Sequence, residues 1–237
     1  MRLNKWGAFA LGVAGLFSAL SAGAIEVYPV VKEIREDTPR ENYITVKSMY
    51  SAKTSADANK SSSQIYEFVT LELYHVLNPG DEKEKKVKEL SQANPTLVFS
   101  PTKLIIPYGE ERKVRIMPLR SVEREQVYRL RVRPSYPEQE LDKGKVRFAI
   151  GYDVLLRYLP SGTHSQGLTL SCHNNQWTLT ATGNVRSELS QLVVDGRPYL
   201  PNFNVYPEKS RTLTVNKRLA FEMGGRSRVY EKCQQKE

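Results

Sequence analysis

An all-β chain of two immunoglobulin-like sandwiches is the fold this sequence predicts, on three observations. Apolar and polar residues alternate with period 2 in one short stretch after another. Helix-period stripes are almost absent. Turn residues such as Pro107-Tyr108-Gly109 and Asp195-Gly196 separate the stretches at strand-like spacing.

The first 24 residues are set apart before the rest is read. A basic start (Arg2, Lys5) precedes the uncharged run "WGAFALGVAGLFSAL", and Ala22-Gly23-Ala24 has the small-x-small pattern of a cleavage site. This reads as a secretory signal cut after Ala24. Removing it leaves residues 25–237, enough for two ordinary domains, and takes the formal charge from +9 to +7. The remaining basic residues are interleaved with acids, and export argues against nucleic acid as a partner. An acidic protein partner, or solubility alone, accounts for the charge.

Residues 25–160 hold about seven strand signals, the count of an immunoglobulin-like sandwich. "AIEVYPVVKEI" opens the set and "ENYITVKSMY" follows. "SAKTSADANKSSSQ" reads as a polar loop. "IYEFVTLELYHVL" places Ile65, Glu67, Val69, Leu71 and Leu73 on one side, and "NPGDEKEKKVKEL" is a charged, solvated turn. "TLVFSPTKLIIPYGEERKVRIMPL" gives two short strands around its Pro-Tyr-Gly turn. In "EQVYRLRVRPSYP", Tyr128, Leu130 and Val132 point inward while Arg129, Arg131 and Arg133 form an outward, solvated row.

"KVRFAIGYDVLLRYLP" (145–160) alternates most clearly. Val146, Phe148, Ile150, Tyr152 and Val154 share one face, after which Leu155-Leu156 and a lone Arg157 end the pattern before Pro160. Such a ridge is longer than a core strand requires. A bulky strand left open is an aggregation hazard unless it serves a partner by strand addition.

Residues 161–237 give six further strand candidates, "GLTLSC", "QWTLTATG", "LSQLVVDGRPYL", "RTLTVN", "RLAFEM" and "RVYEKC", with Asp195-Gly196 as a hairpin turn and Trp177 in the core. Cys172 and Cys233, an even pair in an exported chain, are expected to form one disulfide. Three scattered histidines and two cysteines make no metal-ligand spacing, so no metal or cofactor is expected. No serine elbow, zincin helix, phosphate loop or dinucleotide fingerprint occurs, which argues against an enzyme.

The succession of "VYPVVKEI", "VFSPTKLIIPYGEERKVRIMPL", "EQVYRLRV", "IGYDVLLRYLPSG", "GNVRSELSQL" and "NVYPEKSRTL" resembles the periplasmic pilus chaperones. The likeness is greatest to the alternative chaperone/usher class of colonisation-factor fimbriae and the common pilus. The resemblance implies two immunoglobulin-like domains set in an L. It also implies pilin subunits as clients, an outer-membrane usher as second partner, and completion of each subunit by a lent strand. It places Val146, Phe148, Ile150 and Tyr152 on the donor strand. Lys32 and Arg157 become the pair that holds the subunit's C-terminal carboxylate, with Arg35 as the other candidate on the first strand. The best-known branch carries Lys where this chain has Leu155, and Arg before the proline where it has Leu159; the basic role here falls to Arg157. The alternative, an exported two-domain adhesin or structural fimbrial component, would carry an incomplete domain and a terminal donor extension in place of an internal ridge.

Overall fold

A computed structural model describes residues 25–49, 66–135, 150–200 and 203–236. The signal segment, the loop at 51–64 and the ridge residues Val146 and Phe148 lie outside the described residues.

Among the described residues, ten strands up to Tyr158 form two sheets. One sheet holds β1 (Ile25–Tyr28), β3 (Tyr43–Ser48), β8 (Glu111–Pro118) and β6 (Leu97–Ser100), in that order. The facing sheet runs β2 (Val31–Ile34), β10 (Tyr152–Tyr158), β9 (Gln126–Pro134), β4 (Tyr66–Val76) and β5 (Lys86–Lys88), with β7 (Lys103–Pro107) also paired to β4. The opening stretch read as one strand is therefore two, in different sheets. Pro29 lacks an N–H for the ladder, and the chain crosses between the sheets there.

Alternation fills the space between these sheets. Tyr128, Leu130 and Val132 of β9 are fully buried and share one core cluster with Val154, Leu156 and Tyr158 of β10. The ridge pattern thus runs on to Tyr158, past the Leu155-Leu156 pair where the sequence shows it ending. The outward arginine row is paired more than a solvated row would be. Arg129 chelates Glu84 with its Nη2 2.6 Å from Oε1, and Arg131 Nε lies 2.9 Å from Asp153 Oδ1. The Arg131 guanidinium holds the Asp153 carboxyl below the usual carboxylate range.

Glu67 is an exception to the apolar core face of β4. It is 2 % exposed, and neither carboxylate oxygen has a hydrogen-bond partner among the described residues. Burial pushes its carboxyl upward from 4.5. Stability from this group is therefore complete below the unfolded pKa and is lost as pH rises through the folded one. Glu67→Leu is expected to stabilise the protein by ~1–3 kcal/mol at pH 7.5, with a smaller gain at pH 4.5. Thermal melts at the two pH values check this.

The second half builds two more sheets. The smaller orders β11 (Leu168–His173), β12 (Gln176–Ala181) and β16 (Ser210–Thr214). The larger orders β14 (Arg197–Pro198), β13 (Ser187–Val194), β17 (Arg218–Met223), β18 (Arg226–Glu231) and β19 (Gln234–Lys236), and β15 (Phe203–Val205) pairs with β13. Trp177 is buried between them. Cys172 and Cys233 are joined, their Cα atoms 6.1 Å apart, which ties the β18–β19 turn to β11.

Asp195-Gly196 closes the β13–β14 hairpin with both residues at positive φ, 51° and 82°, the signature of a type I′ turn. The Asp195 carboxylate accepts the backbone N–H groups of Asn216, Lys217 and Arg218 at 2.7–3.0 Å. Those bonds, that of Arg218 foremost, hold its pKa at about 2 against an ordinary 3.8. A depressed folded pKa contributes stability above the unfolded value and loses it as pH falls through the folded one. Melts of the wild type are expected to weaken between about pH 4 and 2, and Asp195→Asn to flatten that part of the profile.

Candidate functional site

Three features lie along β2, β10 and β9 of the first sandwich, and the third of them meets the second sandwich. The first is a free strand edge. Parallel β2 covers β10 only from Leu155 to Tyr158, with Leu155 N–H donating to Val30 O at 2.9 Å. Upstream of Val30 the chain has left for the other sheet. Residues Tyr152–Val154 therefore have β9 on one side and no strand among the described residues on the other.

The second feature is an exposed residue just ahead of that strand. Ile150 is 56 % exposed, whereas Tyr152 already packs on the core. Between them Gly151 comes so close to β9 that a Cβ would meet Val132 O at 3.0 Å and Arg133 Cγ at 3.1 Å. Val30 and Val31 of the neighbouring edge are also exposed, and Val31 sits across from Leu155. An apolar, hydrogen-bonding edge is thus presented in one place.

The third feature is a charged cluster at the junction of the two halves. Arg157 grips Glu125 with two parallel bonds, Nε to Oε1 at 2.6 Å and Nη2 to Oε2 at 3.0 Å, and its Nη1 donates to Glu33 Oε1 at 2.9 Å. Glu125 has no exposed side-chain surface. It also accepts the backbone N–H of Arg186 from the second sandwich at 2.7 Å, and its own N–H donates to Asn184 O. Beside this brace Val76, Val127 and half-buried Leu155 pack on Tyr206 of the second sandwich. Gly80 in the β4–β5 loop lies against the same ring, which places the charged stretch at 78–90 partly in the junction and not wholly in solvent.

Glu33 carries a second arginine. Its Oε2 accepts from Arg35 Nη2 at 2.7 Å while Oε1 holds Arg157. Burial pushes this carboxyl up, but Arg35 and Arg157 outweigh it and keep the group below the ordinary range. Burial also opposes the charge on Arg157; Glu125 and Glu33 more than restore it.

Lys32 does not join Arg157. In the parallel register Lys32 lies across from buried Leu156, and Glu33 across from Arg157. The lysine accordingly projects to the opposite side of the sheet. Its Nζ is 6.0 Å from the centre of the Tyr43 ring, in a cavity of about 550 Å³ that Glu111 and Lys113 also line. The basic residues that do gather on the Arg157 side are Arg35 and Arg186. Glu125 and Arg186 carry no motif or periodicity that marks them as site residues. The spacing of Glu33 and Arg35 on one strand face was the available sign for the rest.

No family model matches the chain. It is 26 % identical over 179 residues to a CFA/I fimbrial protein of Escherichia coli, covering 68 % of this chain and 74 % of that protein. Over 133 residues it is 30 % identical to a CS1 fimbrial protein of Escherichia coli, covering 53 % and 56 %, so it spans little more than half of that relative. Among solved structures it superposes on the class 5 fimbriae chaperone CfaA with a TM-score of 0.67 at 21 % identity, covering 88 % of this chain and 99 % of that one. A chain from the chaperone–tip adhesin complex of CFA/I fimbriae biogenesis matches with a TM-score of 0.66, also at 21 % identity, covering 89 % and 99 %. The chain has the two-sandwich, immunoglobulin-like fold of the fimbrial chaperones.

Proposed function

We propose that this protein is an exported, non-enzymatic chaperone of fimbrial subunits. It lends its client the strand that begins in the 146–150 ridge and delivers that client in the periplasm to an outer-membrane usher. The observation that carries the reading is the open edge of β10 at Tyr152–Val154, directly after solvent-exposed Ile150. An incomplete β subunit needs main-chain partners and a row of alternate apolar side chains, and this edge offers both. Val146, Phe148 and Ile150 supply the row. Tyr152 is committed to the sandwich core and marks its inner end.

Arg157 and Arg35 suit the subunit's C-terminal carboxylate, since guanidinium forks bind both oxygens of such a group. The fold likeness to CfaA supports the same reading, as does the likeness to a chain of a chaperone–tip adhesin complex. An adhesin or structural subunit is the lesser reading, because both sandwiches have paired sheets and their own cores.

Tagged protein recovered from periplasm in which fimbriae are being assembled tests the proposal. The expected result is a one-to-one complex with a small fimbrial subunit, seen by native mass spectrometry. Recovery of free protein only, from cells that export the subunits, would refute it.

A further inference from the structure

The two carboxylates on Arg157 differ in kind. Glu125 is sealed from solvent and tied to the second sandwich through the Arg186 N–H. Glu33 stands on edge strand β2, and its side chain is 41 % exposed. One oxygen of Glu33 holds Arg157 and the other holds Arg35, which is itself 41 % exposed. A reachable carboxylate bridging two guanidinium groups is the arrangement that a peptide's terminal carboxylate would make at the same place.

We infer that Glu33 is an internal stand-in for the client's C-terminal carboxylate, closing the anchor while the cleft is empty and yielding it on capture. The inference rests on the reading of this protein as a fimbrial-subunit chaperone. Three chemical points support it. Arg157 has five N–H donors, and among the described residues three are used, which leaves two for an incoming oxygen. Glu125 keeps its two bonds to Arg157 when Glu33 departs, so the guanidinium is never buried unpaired. Arg35 and Arg157 opposite Glu125 then carry one uncompensated positive charge, which only an anion restores. The ligand class is therefore a free C-terminal carboxylate on an extended apolar segment. Exposed Val31 and half-buried Leu155 border it on the same face.

The test uses an N-acetylated, alternating Val/Ser decapeptide with a free C-terminus, beside the same peptide amidated. Binding to wild type and Glu33→Gln is followed by NMR through the Nε–Hε signals of Arg35 and Arg157, and each protein is also assayed for fimbrial-subunit capture. Glu33→Gln should bind the free acid at least about tenfold more tightly than wild type does, the scale of one charge-assisted hydrogen bond. The amide should gain nothing, and adding Arg35→Gln should remove the gain. Equal affinity of the two proteins for the free acid, or an equal gain for the amide, overturns the stand-in while subunit capture persists. Loss of subunit capture by wild type as well would overturn the chaperone reading itself, and the stand-in with it.

Discussion

Ile150→Asp is expected to abolish subunit capture and to leave the melting temperature of the free protein unchanged. Ile150 is 56 % exposed and lies outside any strand, so the free protein loses little by the change. In a client groove the same side chain contributes ~1.5–3 kcal/mol when fully buried. An aspartate there adds the cost of an unpaired charge in an apolar site, several kcal/mol more unless it stays protonated. Together these amount to well over a hundredfold in affinity. Conservative Ile150→Val should retain capture. Co-purification of the client with each variant, beside thermal melts of the free proteins, checks the prediction. An unfolded Ile150→Asp would mean that the residue belongs to the chaperone's own core.

Glu125→Ala is expected to cost ~3–5 kcal/mol, because it strands the Arg157 guanidinium in a buried site with only Glu33 for company. It also removes the acceptor of the Arg186 N–H and so loosens the second sandwich from the first. The signature is specific. Denaturant unfolding should separate into two transitions, since the junction then rests on the apolar patch of Val76, Val127, Leu155 and Tyr206, the backbone bond from residue 125 to Asn184 O and the exposed Arg124–Glu208 pair. A single transition at wild-type midpoint would show that the brace contributes little. Arg157→Glu is the harsher change: a third carboxylate would then meet Glu33 and Glu125. Loss of capture in that variant reports on the junction as much as on any anchor, so Arg35→Gln is the cleaner probe of carboxylate binding.

Period-2 alternation made the interior legible. Tyr128, Leu130 and Val132 sit in the core as their parity predicts, and the Asp195-Gly196 dipeptide forms the turn its residue types demand. What sequence could not supply was register between strands distant in the chain. Lys32 and Glu33 are adjacent, and only the pairing of β2 with β10 decides which of them shares a face with Arg157. The split of the opening stretch into β1 and β2 was announced by Pro29 alone. Glu125 lies in a loop before β9 with no periodic neighbour, and its burial arises from contact with the second sandwich. Charge pairing across the β9 face was hidden for the same reason. Arg131 finds Asp153 through the β9–β10 register, not through local spacing.

Strand donation is tested most directly by amide hydrogen exchange across residues 146–154, free and in complex with a fimbrial subunit. Those amides of this stretch that have no bond to β9 are expected to exchange rapidly in the free protein and to become at least about a hundredfold protected on capture, while β9 amides stay as protected as before. A complex that forms with no added protection at 146–154, and with new protection confined to other surfaces, would contradict strand donation by β10.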